Sequence, residues 1–326
     1  MEIRKFGTLS DGTEVLQYIL KTEKAEARVL NFGGVLTDFI YKGQNIICGF
    51  ETIEDYLIDD SYQGALIGRF ANRIGGASFT LNGVAYHVGA NEGKNTLHGG
   101  LSGFNRKVFS AEAIDDSTLV LTRTSPDNEE GYPGNLTVKA TYALKGSDLT
   151  ISYEAISDKD TPISLTNHSY FNLTGIGTSI LDHLATIHAD RYTAVDDELI
   201  PTGERPPVKG TPYDLRAPRK IGEMVGGYDT NFILTAPTPN EPSLAATVVG
   251  GDLKLSIFTT QPCIQFYTGC VLEGEPAFRG GVKKARFTAF CLETQAEPNA
   301  PKNGEAILRA GETYSHTTIY RIETVG

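Results

Sequence analysis

The chain has 326 residues, 40 % of them hydrophobic and 21 % charged, with a formal net charge of −11 and a sequence pI of about 5.1. That balance excludes a disordered chain and supplies enough apolar matter for a sizeable core. The acidic surplus argues against nucleic acid and anionic membrane as partners, since the densest basic stretch, Lys283-Lys284-Ala285-Arg286, is short and isolated.

Taken in order, the chain opens on Met1-Glu2-Ile3-Arg4-Lys5-Phe6, which lacks the apolar stretch of a signal peptide. No apolar run approaches the roughly 18 residues of a membrane span. A cytosolic protein is therefore expected. Cys48, Cys263, Cys270 and Cys291 sit in or beside apolar runs without any C-x-x-C spacing, and read as buried free thiols. Thr52 to Leu57 reads as a short helical turn capped by Thr52.

Phe79 to Val88 is the clearest hairpin. Asn82-Gly83 stands between alternating runs, and both central residues of a type I′ turn need positive φ. That turn pairs Leu81 with Val84 and Phe79 with Tyr86 on one apolar face, and puts His87 on the other face opposite Ser78 as a solvated strand histidine. Period-two alternation returns at Leu136, Val138, Ala140, Tyr142 and Leu144, then at Leu149, Ile151, Tyr153 and Ala155. The link Lys145-Gly146-Ser147-Asp148 makes these a second hairpin. His183 and His188 are five apart, which is no usual zinc spacing, and read as ordinary strand or loop residues. Proline- and glycine-rich loops occur at Pro201–Pro212 and Pro237–Pro242, without a shift in composition that would divide the chain. Arg219 to Val225 offers another weak helical signal, and Leu253, Leu255 and Ile257 another strand. The expectation is an all-β fold over residues 1–326 as a single domain, a large, many-stranded antiparallel β-sandwich.

Several chemistries have no signature here. There is no phosphate loop of the Gly-x-x-x-x-Gly-Lys-Ser/Thr kind, no Gly-x-Gly-x-x-Gly after a strand, and no Gly-x-Ser-x-Gly elbow. What remains is a set of polar residues at the ends of apolar strands: Arg73, His98, His168, Asp229, Gln265 and Glu293. Glu293 closes the apolar run Phe290-Cys291-Leu292, where a strand is expected to give way to a loop. Each residue alone would equally suit a hydrogen-bonded core position or a brace between loops. The glycines after His98 and Thr268 would let a ligand approach the backbone.

In these segments the sequence resembles the aldose 1-epimerases, or galactose mutarotases, from about Asn31 to Tyr320. The resemblance rests on nine motifs in order. They are Asn31-Phe32-Gly33-Gly34, Gly68-Arg69-Phe70-Ala71-Asn72-Arg73-Ile74, Leu97-His98-Gly99-Gly100, Glu130-Gly131-Tyr132-Pro133-Gly134, Asn167-His168-Ser169-Tyr170-Phe171-Asn172-Leu173, Ile200-Pro201-Thr202-Gly203-Glu204, Tyr228-Asp229, Gln265-Phe266-Tyr267-Thr268-Gly269 and Leu292-Glu293-Thr294-Gln295.

The resemblance implies a sugar cleft on one concave face of the sandwich. It assigns Glu293 as base, His168 as acid and His98 as a second catalytic histidine, with Arg73, Asn72, Asp229 and Gln265 binding the sugar. It implies no cofactor and no metal. The implied partner is a small aldohexose such as galactose or glucose, and the protein is expected to act as a monomer or homodimer. The chemistry needs one base at the C1 hydroxyl and one acid at the ring oxygen, with roles that reverse on closure. The sequence departs from the family at Ser169, Phe109 and Glu297-Pro298-Asn299-Ala300, none of them in the acid–base pair. A non-catalytic sugar binder would be free to lose Glu293 or His168, and both are present. An epimerase acting on a hexose phosphate would need further cations at the cleft, for which Arg69 and Lys94 are the candidates.

Overall fold

The computed structural model describes residues 1–238 and 240–326; the 237–242 loop therefore includes one residue, Pro239, outside the described set. Three antiparallel sheets carry the architecture. The largest has nine strands, in the order Ser110–Ala113, Thr118–Ser125, Leu136–Lys145, Asp148–Ser157, Thr313–Thr324, Leu253–Thr259, Ser243–Gly250, Leu184–Ile187, Arg219–Lys220. A five-stranded meander runs from Glu2 to Asn45. A four-stranded sheet orders Ala189–Tyr192, Asp229–Leu234, Cys263–Tyr267 and Cys291–Gln295.

The alternation read from the sequence decides which faces meet. Along Leu136–Lys145 the even-numbered apolar residues are buried, and along Asp148–Ser157 the odd-numbered ones are. Their inward faces join one core with Leu20 and Phe39 of the meander and Phe232, Ile264, Phe266 and Leu292 of the four-stranded sheet. This is the expected β-sandwich. The link at Gly146-Ser147 is the expected tight turn, closing on the pair Lys145–Asp148.

The Asn82-Gly83 hairpin has the expected register, with φ of 52° and 78° at the turn and His87 exposed opposite Ser78. Its apolar face is buried on one arm only: Phe79 and Leu81 enter a small core with Tyr132, while Val84 is 52 % exposed. The helix is Ile53–Ile58, with Thr52 accepting from the Asp55 N–H as N-cap. The second helical expectation is corrected. Arg219–Lys220 pairs as a strand, and only Ile221–Glu223 makes a single tight turn, because the Leu184–Ile187 edge takes up the backbone first. Three of the four free cysteines are buried; Cys270 is half-buried. Among the described residues, no helix is long and apolar enough to cross a membrane.

Candidate active site

The four-stranded sheet sets out a grid. Asn231, Gln265 and Glu293 stand directly opposite one another across three strands, and Asp229, Tyr267 and Cys291 form the next row. Side chains alternate between faces, so these six share one face while Phe232, Ile264, Phe266 and Leu292 point the other way into the core. Glu293 thus sits in the middle of Cys291–Gln295, not where a strand yields to a loop. The expectation erred because the strand's polar residues Glu293 and Gln295 are themselves buried, and polarity looked like a strand end.

His168 arrives by a different route. Phe171 exchanges backbone hydrogen bonds with Phe290 (2.7 and 3.0 Å), and the His168 N–H and C=O are held by Ala65 (2.8 Å) and Gly64 (2.9 Å). The imidazole is thereby laid beside the Glu293 strand, with Nε2 3.5 Å from Glu293 Oε1. Its faces are covered by Tyr170 at 5.1 Å and Tyr62 at 6.0 Å, both near parallel. His98 stands perpendicular to it at 5.1 Å.

His98 and Asn72 fix one another: the Asn72 N–H donates to His98 Nδ1 (3.1 Å) and the His98 N–H to the Asn72 carbonyl (3.2 Å). Both residues have positive φ. The glycines beside His98 serve the protein, not a ligand. A Cβ on Gly99 would stand 2.0 Å from the Gly68 carbonyl oxygen, and one on Gly100 would meet the Glu130 carboxylate. Gly269 likewise faces the Ala289 carbonyl.

Together these residues line a cavity of about 410 Å³. Arg73, Asn72, His98, His168, Asp229, Gln265 and Glu293 all reach it. Arg73 is held by Glu92 through Nε and Nη2, each at 2.6 Å. Gln265 Nε2 donates to Asp229 Oδ1 at 2.7 Å. Sequence reasoning missed Tyr62, Asp60, Glu92 and Glu273 in the lining, and gave Tyr170 and Tyr267 no role. Tyr62 has no sequence signal, being a loop residue at φ 58°. Tyr170 did have one, standing two residues beyond His168 in the same motif. Arg69 is not at the cavity. It is buried and spends its guanidinium on Ser125, Pro126, Pro133 and Thr161. Lys94 pairs with Glu198 in an adjoining cleft.

The electrostatics follow from burial. Burial pushes Glu293 well above the usual carboxylate range; Asp229 adds to this and Arg73 opposes it. Burial raises Asp229 as well, against Arg73 and the Gln265 hydrogen bond. Burial lowers His168 to about 4, opposed by its own backbone and by Asp59. His98 is held well below the ordinary histidine value by burial, then by His168 and Arg73. Glu293 Oε2 and Gln265 Oε1 are buried acceptors without a protein partner.

His98, His168 and Glu293 bring donor atoms within 4.8 Å of one another, a spacing that suits a metal ion. The hydrogen bonding of His98 does not suit one. Its Nδ1 is an acceptor for a backbone N–H, so the neutral ring carries its proton on Nε2 and offers the cavity a donor rather than a ligand lone pair.

Residues 17–321 match the family model of the aldose 1-epimerases. The galactose mutarotase of Sus scrofa is 39 % identical over 96 % of this chain and 96 % of its own length. The human galactose mutarotase is 39 % identical over 97 % and 96 %, and the aldose 1-epimerase of Escherichia coli K12 is 34 % identical over 84 % of each. Among solved structures, the galactose 1-epimerase of Lactobacillus acidophilus superimposes with a TM-score of 0.88 at 27 % identity, covering 100 % of this chain and 99 % of its own. An aldose epimerase homologue from C. elegans does so at 0.89 and 25 %, covering 95 % and 99 %.

Proposed function

The chain belongs to the aldose 1-epimerase family, and on that premise we propose that its cavity interconverts the α and β anomers of a free aldohexose such as galactose or glucose. The observation that carries this reading is the opposed pair of His168 Nε2 and Glu293 Oε1, 3.5 Å apart in the cavity lining, with Glu293 Oε2 and Gln265 Oε1 unpartnered. Two buried acceptors without protein partners suit a ligand that brings hydroxyl donors.

In this reading Glu293 takes the proton of the C1 hydroxyl and His168 delivers one from Nε2 to the ring oxygen. The C1–O5 bond breaks, the aldehyde turns about C1–C2, and closure returns both protons with the opposite anomer. The charged pair, carboxylate and imidazolium, holds the same number of protons as the neutral pair, carboxyl and imidazole. Burial raises Glu293 and lowers His168, so it favours the neutral pair, which is the state reached when the ring opens. His98 donates from Nε2 toward the sugar, while Arg73, Asn72, Asp229 and Gln265 hold the hydroxyls in register.

A phosphorylated sugar fits less well. Carboxyl groups of Asp60, Glu92, Asp229, Glu273 and Glu293 line the cavity against the one guanidinium of Arg73. The free thiols agree with a reducing cytoplasm as the compartment.

Polarimetry of freshly dissolved α-D-galactose and α-D-glucose tests the reading. The pure protein should speed the relaxation of at least one sugar, and Glu293→Gln or His168→Asn should each remove roughly 10²–10⁴-fold of that acceleration. Relaxation no faster than the buffer control for both sugars defeats the reading. Full rates in either variant defeat its role assignment.

A further inference from the structure

An imidazole that passes a proton through Nε2 must keep its other proton on Nδ1. When the imidazolium gives up Nε2–H, the neutral ring left behind is the Nδ1–H tautomer, and that hydrogen needs an acceptor. His168 is buried, with 6 % of its surface exposed, so the acceptor is to be sought among protein groups. The group beside Nδ1 is the thiol of Cys291, with Sγ at 3.6 Å, within the reach of a hydrogen bond to sulfur.

The position of this thiol is set by the same strand that sets the base. Cys291 and Glu293 are two residues apart on Cys291–Gln295, on one face, and both belong to the grid fixed by Tyr267 and Gln265 opposite. One strand therefore touches both nitrogens of His168: Glu293 at Nε2 and Cys291 at Nδ1. Cys291 is fully buried. The other groups facing the ring are Tyr62, Tyr170 and His98, and the residue's own backbone and Asp59 also favour its charged form.

We propose that Cys291 is a positioning residue for the acid–base step, its protonated thiol accepting the Nδ1–H of His168 and so holding the ring in the tautomer that leaves Nε2 free to exchange its proton with the sugar ring oxygen. The choice of sulfur has a consequence. A carboxylate at Nδ1 would stabilise the imidazolium strongly and make it a poor acid toward an ether-like oxygen. A buried thiol is neutral and a weak acceptor. It orients the ring and leaves the imidazolium acidic. Burial, with Glu293 next in effect, keeps that thiol protonated by raising it well above the ordinary cysteine value.

This inference rests on the proposed role of His168, and its test separates the two. Long-range ¹H–¹⁵N spectra of the ligand-free protein read the His168 tautomer without any assay of activity. The wild type and Cys291→Ser should show the Nδ1–H form when neutral, and Cys291→Ala should shift toward Nε2–H. In polarimetry with galactose, Cys291→Ala should lower kcat about tenfold or more with KM within about twofold, and Cys291→Ser should restore most of it. A wild-type ring in the Nε2–H form overturns the proposal. So does an alanine variant that keeps both the tautomer and the wild-type kcat. Should Cys291→Ala fail to fold, Cys291→Val takes its place, being apolar and larger. A wild type with the Nδ1–H tautomer and no mutarotation would overturn the activity reading while leaving the thiol contact intact.

Discussion

Replacing Lys284 with methionine should destabilise the protein far more than a lysine substitution ordinarily does. Lys284 Nζ lies 3.2 Å from Asp59 Oδ1, and the two side chains are 1 % and 3 % exposed. The ammonium also stands 5.4 Å over the Phe50 ring. Asp59 keeps two further partners, the Gln63 N–H at 3.0 Å and the Ser61 hydroxyl. Those donors satisfy its lone pairs and do not neutralise its charge. Lys284→Met preserves the length and apolar body of the stem and removes only the ammonium, leaving a buried carboxylate uncompensated. The expected loss is about 3–5 kcal/mol, the usual result of breaking one side of a buried pair. Asp59→Asn in the same chain should recover all but about 1 kcal/mol, since asparagine still accepts from Gln63 and neither charge remains. Urea unfolding followed by circular dichroism at neutral pH measures both. A single variant within about 1 kcal/mol of wild type, or a double variant no better than the single, refutes the reasoning. The pair also matters to the site, because Asp59 anchors the turn that carries Ser61 and Tyr62 to the cavity wall. The single variant should therefore raise KM for galactose.

Gly99→Ala should cost at least about 2 kcal/mol in the same unfolding assay and depress activity, because a Cβ at φ 94° would collide with the Gly68 carbonyl and displace His98. Glu92→Gln should raise KM for galactose several-fold with kcat changed less than about twofold, since it loosens the two contacts that aim Arg73. Burial holds His316 at about 4, below its unfolded value, so the unfolded chain binds its proton first as pH falls. Its contribution is present near pH 7 and lost progressively between about 6.5 and 4. Wild type should lose about 2 kcal/mol more than His316→Gln between pH 7 and pH 5, read from urea midpoints at the two pH values.

The fold was legible wherever one face of a strand is buried and the other is wet. Leu136–Lys145 and Asp148–Ser157 show this, because period two is then written directly in residue polarity. It was not legible in Cys291–Gln295, which is buried on both faces and carries polar residues on the cavity side. The short strand at Arg219–Lys220 was lost for a related reason: two residues are too few to show any period. The residues that meet in the cavity were singled out through ordered motifs, not through pattern. Arg69 shows the weakness of that route. It shares a motif with Asn72 and Arg73, yet its side chain braces the carbonyls of Ser125, Pro126 and Pro133. Lys284 shows the converse, for a residue read only as part of a short basic stretch is the buried half of an ion pair.

The grid explains why the site tolerates so little freedom in this sheet. A shift of one residue in the pairing of Cys263–Tyr267 with Cys291–Gln295 would turn Glu293 and Cys291 into the core and bring Leu292 and Thr294 to the cavity. The apolar partners on the far face, Phe266 and Ile264 against Leu292, are buried in the main core and oppose that shift. The hydrophobic register that holds the sandwich together thus also aims the carboxyl and the thiol at the two nitrogens of one imidazole. His168 itself is tied to a different segment, through Phe171 and Phe290. Since Phe290 directly precedes Cys291, the bond that docks the histidine and the strand that faces it are continuous. Weakening the core at Leu292 should therefore disturb the distance between His168 and Glu293 before it unfolds the chain.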